Sequence, residues 1–161
     1  MNTDTVLVSY GRDCEKSGEE SMDISSSVQS MNWEMVKKFH LNPPTIQLPR
    51  EESVIKKYKE NMSIIKMTHT IPEYLMNKHF SSGNKIVLTY NDYPYFTTKN
   101  VLHYLLWIHP DVHVDNSGIR GLITSKIPIS INYNEFIYFE NLGNNKSIQN
   151  IKHYHVFINI H

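Results

Sequence analysis

The closing segment IKHYHVFINIH, residues 151–161, places His153 and His155 two apart in a run that is otherwise aromatic and β-branched. Side chains on a strand alternate between faces, so His153, His155, Phe157 and Asn159 share one face. Tyr154, Val156, Ile158 and Ile160 share the other, which reads as the core face. Two imidazoles side by side can bind a metal or a phosphate, or one can attack phosphorus while its neighbour assists. The same spacing also suits the solvated face of an edge strand, and alternation alone leaves both readings open.

Three further stretches carry polar groups that could join this pair. In VLHYLLWIHP, residues 101–110, His103 shares a face with Leu105, Trp107 and His109. Pairing of this strand with the last would bring His103 or His109 towards His153 and His155, and three histidines could hold a metal. No carboxylate stands at a supporting spacing, so a hydrogen-bonded histidine beside Trp107 is the plainer reading and no metal ligand is assigned. In YNDYPYF, residues 90–96, Tyr93, Tyr95 or Phe96 could stack on a base or sugar, with Asn91 or Asp92 bonding ribose hydroxyls or a base edge. Equally, Asn-Asp caps the turn and the tyrosines fill core. In FENLGNNKSI, residues 139–148, Asn141, Lys146 and Ser147 offer an amide, an ammonium and a hydroxyl to an anion, directly ahead of the histidine strand. The bland alternative is an ordinary hairpin loop.

The elements that must position these groups are legible from periodicity. Residues 1–30 are Ser-rich and acidic with few bulky apolar side chains, which reads as a mobile tail with room for a short strand at TVLVSY. Residues 31–161 read as a single domain. NWEMVKKFH starts a helix capped by Asn32, and LNPPTIQLPR is a Pro-broken connector. Val54, Tyr58, Met62 and Ile65 form one stripe of a second helix. Thr70 and Glu73 have capping-box spacing for a third, which SSGN stops. Strands follow from NKIVLTY, NVLHYLLWI, EFIYFEN and NIKHYHVFINI, with a short helix expected in NSGIRGLITSKI. Helices gathered first and strands later predict an α+β fold, with N-terminal helices packed on a mainly antiparallel sheet of four or more strands.

Composition narrows the function classes. The chain has 161 residues, zero formal net charge and 40% hydrophobic residues, enough for one core but without the basic surface that nucleic-acid polymers require. No apolar run is long enough to cross a bilayer, and no basic-then-apolar leader is seen. Cys14 is the single cysteine, which suits a reducing, cytoplasmic setting. The six glycines show no phosphate-loop spacing. Absence of alanine, with many Ile, Asn, Lys and Tyr, points to an AT-rich genome such as that of a large DNA virus or a protist. Cofactor and oligomeric state are left open.

NDYPYF, NVLHYLLW and IYFENLGNNKSIQNIKHYHVFI, preceded by EYLMNKHF, resemble the uncharacterised family typified by the fungal N-acetylglucosamine-induced protein, over roughly residues 33–160. A more distant resemblance is to the histidine-triad superfamily and its nucleotidylyltransferase branch: Asn-x-[FY]-Pro, then His-x-Leu-Leu, then Asn-x-Gly, Ser and His-x-His. That resemblance implies binding, with hydrolysis or transfer, of a nucleotide or nucleotide-sugar phosphate. His155 would be the nucleophile beside His153, Asn141 and Ser147 would bond phosphate, and Asn91 with the nearby aromatics would face the nucleoside. The superfamily's third position is His or Gln, whereas this chain has Phe157, which cannot donate a hydrogen bond. The alternative is a non-catalytic ligand-sensing or interaction module.

Overall fold

The computed structural model describes residues 29–142, 148 and 150–161. Most of the acidic tail, with TVLVSY, lies outside these residues, as do Lys146 and Ser147. Asn32 caps helix α1 (Trp33–Val36) by accepting from the Met35 N–H at 3.0 Å, and a 3-10 turn follows at Lys37–His40. The proline connector leads to α2 (Glu52–Thr68) and α3 (Ile71–Phe80). The capping box at α3 forms as spaced: the Glu73 N–H donates to Thr70 Oγ1, and the Thr70 N–H donates to Glu73 Oε2. Gly83, at φ +84°, turns the chain out of this helix, a conformation that only a residue without Cβ adopts at no cost.

Four strands follow: β1 (Ile86–Tyr90), β2 (Val101–Ile108), β3 (Tyr133–Phe139) and β4 (Lys152–Ile160). Helix α4 (Ile119–Lys126) lies between β2 and β3, where the short helix was expected. The sheet is antiparallel throughout, in the order β1-β2-β4-β3. The expected α+β architecture is therefore present. No helix among the described residues is long and apolar enough to cross a membrane.

The order of strands corrects one expectation. β4 is an inner strand, so the solvated-edge reading of His153 and His155 fails. Both faces of the sheet are core. Tyr154, Val156 and Ile158 pack with Leu106, Ile108 and Phe136 beneath Ile119 and Ile123 of α4. On the opposite face, Phe157, Ile137 and Phe139 pack under Trp33 and Val36 of α1 with Leu48. Trp107 meets Leu75 and Phe80 of α3 on that same face. Trp33 also ties the cover to the sheet edge by donating its indole N–H to Glu135. The stripe on α2 turns inward only partly, and no residue of that helix is fully buried.

Two substitutions separate core from cap. Phe157 is wholly buried between His103 and Phe139, so Phe157→Ala should cost about 3–5 kcal/mol in urea unfolding. Thr70→Ala, which removes only the exposed cap, should cost about 1 kcal/mol. Equal losses would contradict this account of the core.

Candidate functional site

β2 and β4 pair so that Leu105 faces His155, Trp107 faces His153 and His103 faces Phe157. His103 and His155 are therefore diagonal neighbours, within reach of each other's rings. His103 Nε2 lies 2.9 Å from His155 Nδ1, and both side chains are buried. The backbone decides who donates. The Tyr95 N–H donates to His103 Nδ1 at 3.1 Å, and an amide N–H can act only as a donor. His103 Nδ1 is thus an acceptor, and the neutral ring carries its proton on Nε2. That N–H donates to His155 Nδ1, which leaves the proton of His155 on its Nε2. The structure places Asn141 Nδ2 3.0 Å from this Nε2; the proton order set by the Tyr95 amide requires the Asn141 amide turned end for end, so that its oxygen accepts. The opposite polarity would leave the Tyr95 N–H facing another N–H, buried and unsatisfied.

His153 has the other tautomer. Its Nδ1 is 3.0 Å from the Ile151 carbonyl, an acceptor only, so Nδ1 is protonated. The two histidines of the His-x-His motif are thus chemically distinct, with Nδ1 an acceptor in His155 and a donor in His153.

Electrostatics keep His103 and His155 neutral. Burial, then the neighbouring His153, then the Arg50 guanidinium lower the pKa of His155 to about 3. Burial, followed by His155 and Arg50, holds His103 well below the usual histidine range. Arg50 stands in no motif that sequence reading singles out, being only the last residue of the Pro-broken connector. Its guanidinium lies 4.4 Å over the Tyr95 ring, and its Nε donates to the Tyr93 carbonyl at 3.0 Å. No carboxylate among the described residues pairs with it.

A continuous series of ring contacts links these groups. Tyr95 stacks on His155 at 5.3 Å, His155 meets His153 at 5.8 Å, His153 stacks on Trp107 at 4.8 Å, and Trp107 stacks on His79 at 4.6 Å. His79, on α3, also went unnoticed in the sequence. The Trp107 indole N–H is buried without a hydrogen-bond partner, a state that costs about 1–3 kcal/mol.

The remaining candidates divide. Asn91 is buried, accepts the Tyr93 N–H at 3.0 Å, and lays its amide 3.4 Å from both His103 ring nitrogens. Asp92 is exposed and paired with Lys78. Tyr93 accepts from Asn61 Nδ2 at 3.1 Å and packs edge-on against Tyr58. His109 does not join the pair; it lies beside Lys85 and Asp111. Among the described residues no three His, Cys, Asp or Glu side chains converge as metal ligands.

Neutral buried histidines make stability depend on pH. The folded-state pKa values lie below those of the unfolded chain, so unfolding takes up protons at acid pH. Stability from His155 is complete above pH about 6.5 and is lost as pH falls towards 3, at up to ~1.4 kcal/mol per pH unit. His155→Phe should flatten that slope between pH 6 and 4 in urea titrations. An unchanged slope would show that the ring is protonated in the fold.

The family model described as "Protein of unknown function (DUF3605)" matches residues 32–159. N-acetylglucosamine-induced protein 1 of Candida albicans (strain SC5314 / ATCC MYA-2876) is 26% identical over 92 residues, which are 49% of this chain and 36% of that protein. The chain thus spans little more than a third of that relative. The solved structure described as "Crystal Structure of HTC1" superimposes with a TM-score of 0.58, covering 82% of this chain and 86% of that one at 17% identity, a likeness of fold alone. With the match running from the cap of α1 into the last residues of β4, the chain belongs to the DUF3605 family.

Proposed function

We propose that this chain binds the phosphate of a nucleotide or nucleotide sugar at the outer end of the His103–His155–Asn141 chain, with His155 orienting Asn141 by a hydrogen bond rather than acting as a nucleophile. The observation that carries the reading is the half-buried Arg50, whose guanidinium has no carboxylate partner among the described residues and lies over Tyr95 beside the histidines. A guanidinium with no carboxylate partner, one N–H on the Tyr93 carbonyl and the rest of its fork beside the Asn141 amide that His155 holds, suits a phosphate oxyanion. The histidine-triad resemblance supplies the ligand class. A nucleophilic role for His155 would need its Nε2 lone pair turned outwards, and the bonds running from the Tyr95 amide set the opposite polarity. Phe157 adds no donor at the third position. The reading is therefore of a binding or sensing protein that retains triad-like elements without the phosphoryl-transfer step.

A second reading, a protein-interaction module, is favoured by a different feature. A cleft of about 520 Å³ is lined by Met31, Met35, Phe39, Pro43, Ile46 and Leu48, away from the histidines. Ile46→Asp within it should leave nucleotide binding untouched.

Thermal unfolding with uridine diphosphate tests the first reading. At a concentration one hundred times Kd the ligand should stabilise the protein by about 2.7 kcal/mol, a rise of roughly 5–10 °C in Tm. Arg50→Met should reduce affinity at least tenfold, from loss of a charge-assisted bond of about 1.5–3 kcal/mol. No product should form on prolonged incubation. Absence of any nucleotide-dependent rise in Tm, or undiminished binding by Arg50→Met, would remove the proposal; turnover abolished in His155→Ala would restore the nucleophile.

A further inference from the structure

The far end of the ring series has no part in the phosphate chain, yet its polar atoms are unclaimed. His79 and Trp107 stack face to face at 4.6 Å, with ring planes 18° apart. Both are more than nine-tenths buried, with relative exposures of 8% and 3%. Among the described residues neither nitrogen of His79 has a hydrogen-bond partner, and Trp107 Nε1 is the buried side-chain atom left without one. Buried polar groups are nearly always paired, so the enclosed Trp107 N–H calls for a partner, and the stacked His79 ring beside it carries two nitrogens that are not fully enclosed.

We infer that His79 and Trp107 form a second polar subsite, one that takes a neutral group able both to accept and to donate a hydrogen bond, such as a sugar hydroxyl or an amide. The inference rests on the phosphate-binding reading and extends it by naming what lies beyond the phosphate. Trp107 Nε1–H can only donate, so it requires an acceptor oxygen. Neutral His79 offers one donor and one acceptor, and burial, with Lys78 beside it, holds its pKa at about 4, so the ring is uncharged at physiological pH. An ionised phosphate would find no cation in this pair, whereas a hydroxyl or amide satisfies both nitrogens. Leu75, Phe80 and Ile151 pack with Trp107 as its apolar surroundings. Position fits as well. Trp107 and His153 are directly opposed across β2 and β4, one alternate position along the same face from His155. A ligand whose phosphate meets the Asn141 that His155 orients would therefore carry its attached sugar towards this subsite.

The test compares uridine diphosphate with its glucose ester, UDP-glucose, on the full chain. The indole N–H signals of Trp33 and Trp107 are told apart in ¹H–¹⁵N spectra with Trp107→Phe. UDP-glucose should shift the Trp107 signal and leave that of Trp33 in place, while uridine diphosphate should move neither. Wild-type affinity for UDP-glucose should exceed that for uridine diphosphate about tenfold. His79→Phe, which keeps the stacked ring and removes both nitrogens, should abolish that preference. Equal affinities in the wild type, a preference retained in His79→Phe, or an indole signal that ignores UDP-glucose would each overturn the subsite while leaving the phosphate reading intact. If neither compound binds, both fall together.

Discussion

The 2.9 Å hydrogen bond between His103 and His155 is the constraint around which this face of the sheet is arranged. Two imidazoles side by side in a core are tolerable only when every ring nitrogen has a role, because an unmet buried donor or acceptor forfeits its water without compensation. Here the roles are assigned from outside the pair. The Tyr95 amide is fixed by the turn that Asn91 shapes, and it forces the proton order along His103 and His155 out to Asn141. The turn, the inner strand pair and the start of the β3–β4 connection thus form one polar circuit. Arg50 opposes protonation of both rings, so the circuit stays neutral while presenting a cation at its rim.

Much of the fold is legible in the sequence itself. Thr70 and Glu73 announced a helix start by spacing alone, Asn32 another, and four apolar alternations marked four strands, since these signals arise between residues near in sequence. The standing of β4 was not legible. A His-x-His alternation beside an apolar face reads as wet-side and dry-side, and only the order β1-β2-β4-β3, which inserts the last strand between two others, buries both. Strand order is a long-range property that local pattern does not encode.

The site divides the same way. His103, His153, His155, Asn91, Tyr95 and Asn141 were legible because each sits in a motif of distinctive composition, and the structure brings them together. Asp92 looked equivalent to Asn91, yet the turn points it outwards to Lys78. Arg50 and His79 carried no local signal: one closes a proline connector and the other ends a helix, and each reaches the site through tertiary packing alone. Trp107 was noticed only as a neighbour. Its buried, unpartnered N–H is invisible in sequence, because the absence of a partner is a statement about every surrounding residue at once.

Phe157 explains why the circuit closes with two histidines. Its ring stacks on His103 at 4.3 Å, almost parallel, and is wholly buried. His103 already has its full complement, accepting from the Tyr95 amide and donating to His155, so nothing on that side could satisfy a third imidazole. A histidine at 157 would add two polar atoms to a fully enclosed position and would compete for the Nε2 proton of His103, dissolving the fixed polarity. The phenyl ring gives His103 a flat apolar surface that holds its plane without offering an alternative bond. Phe157 is therefore the condition under which His155 keeps a single tautomer, with its N–H aimed at Asn141 and its lone pair turned inwards.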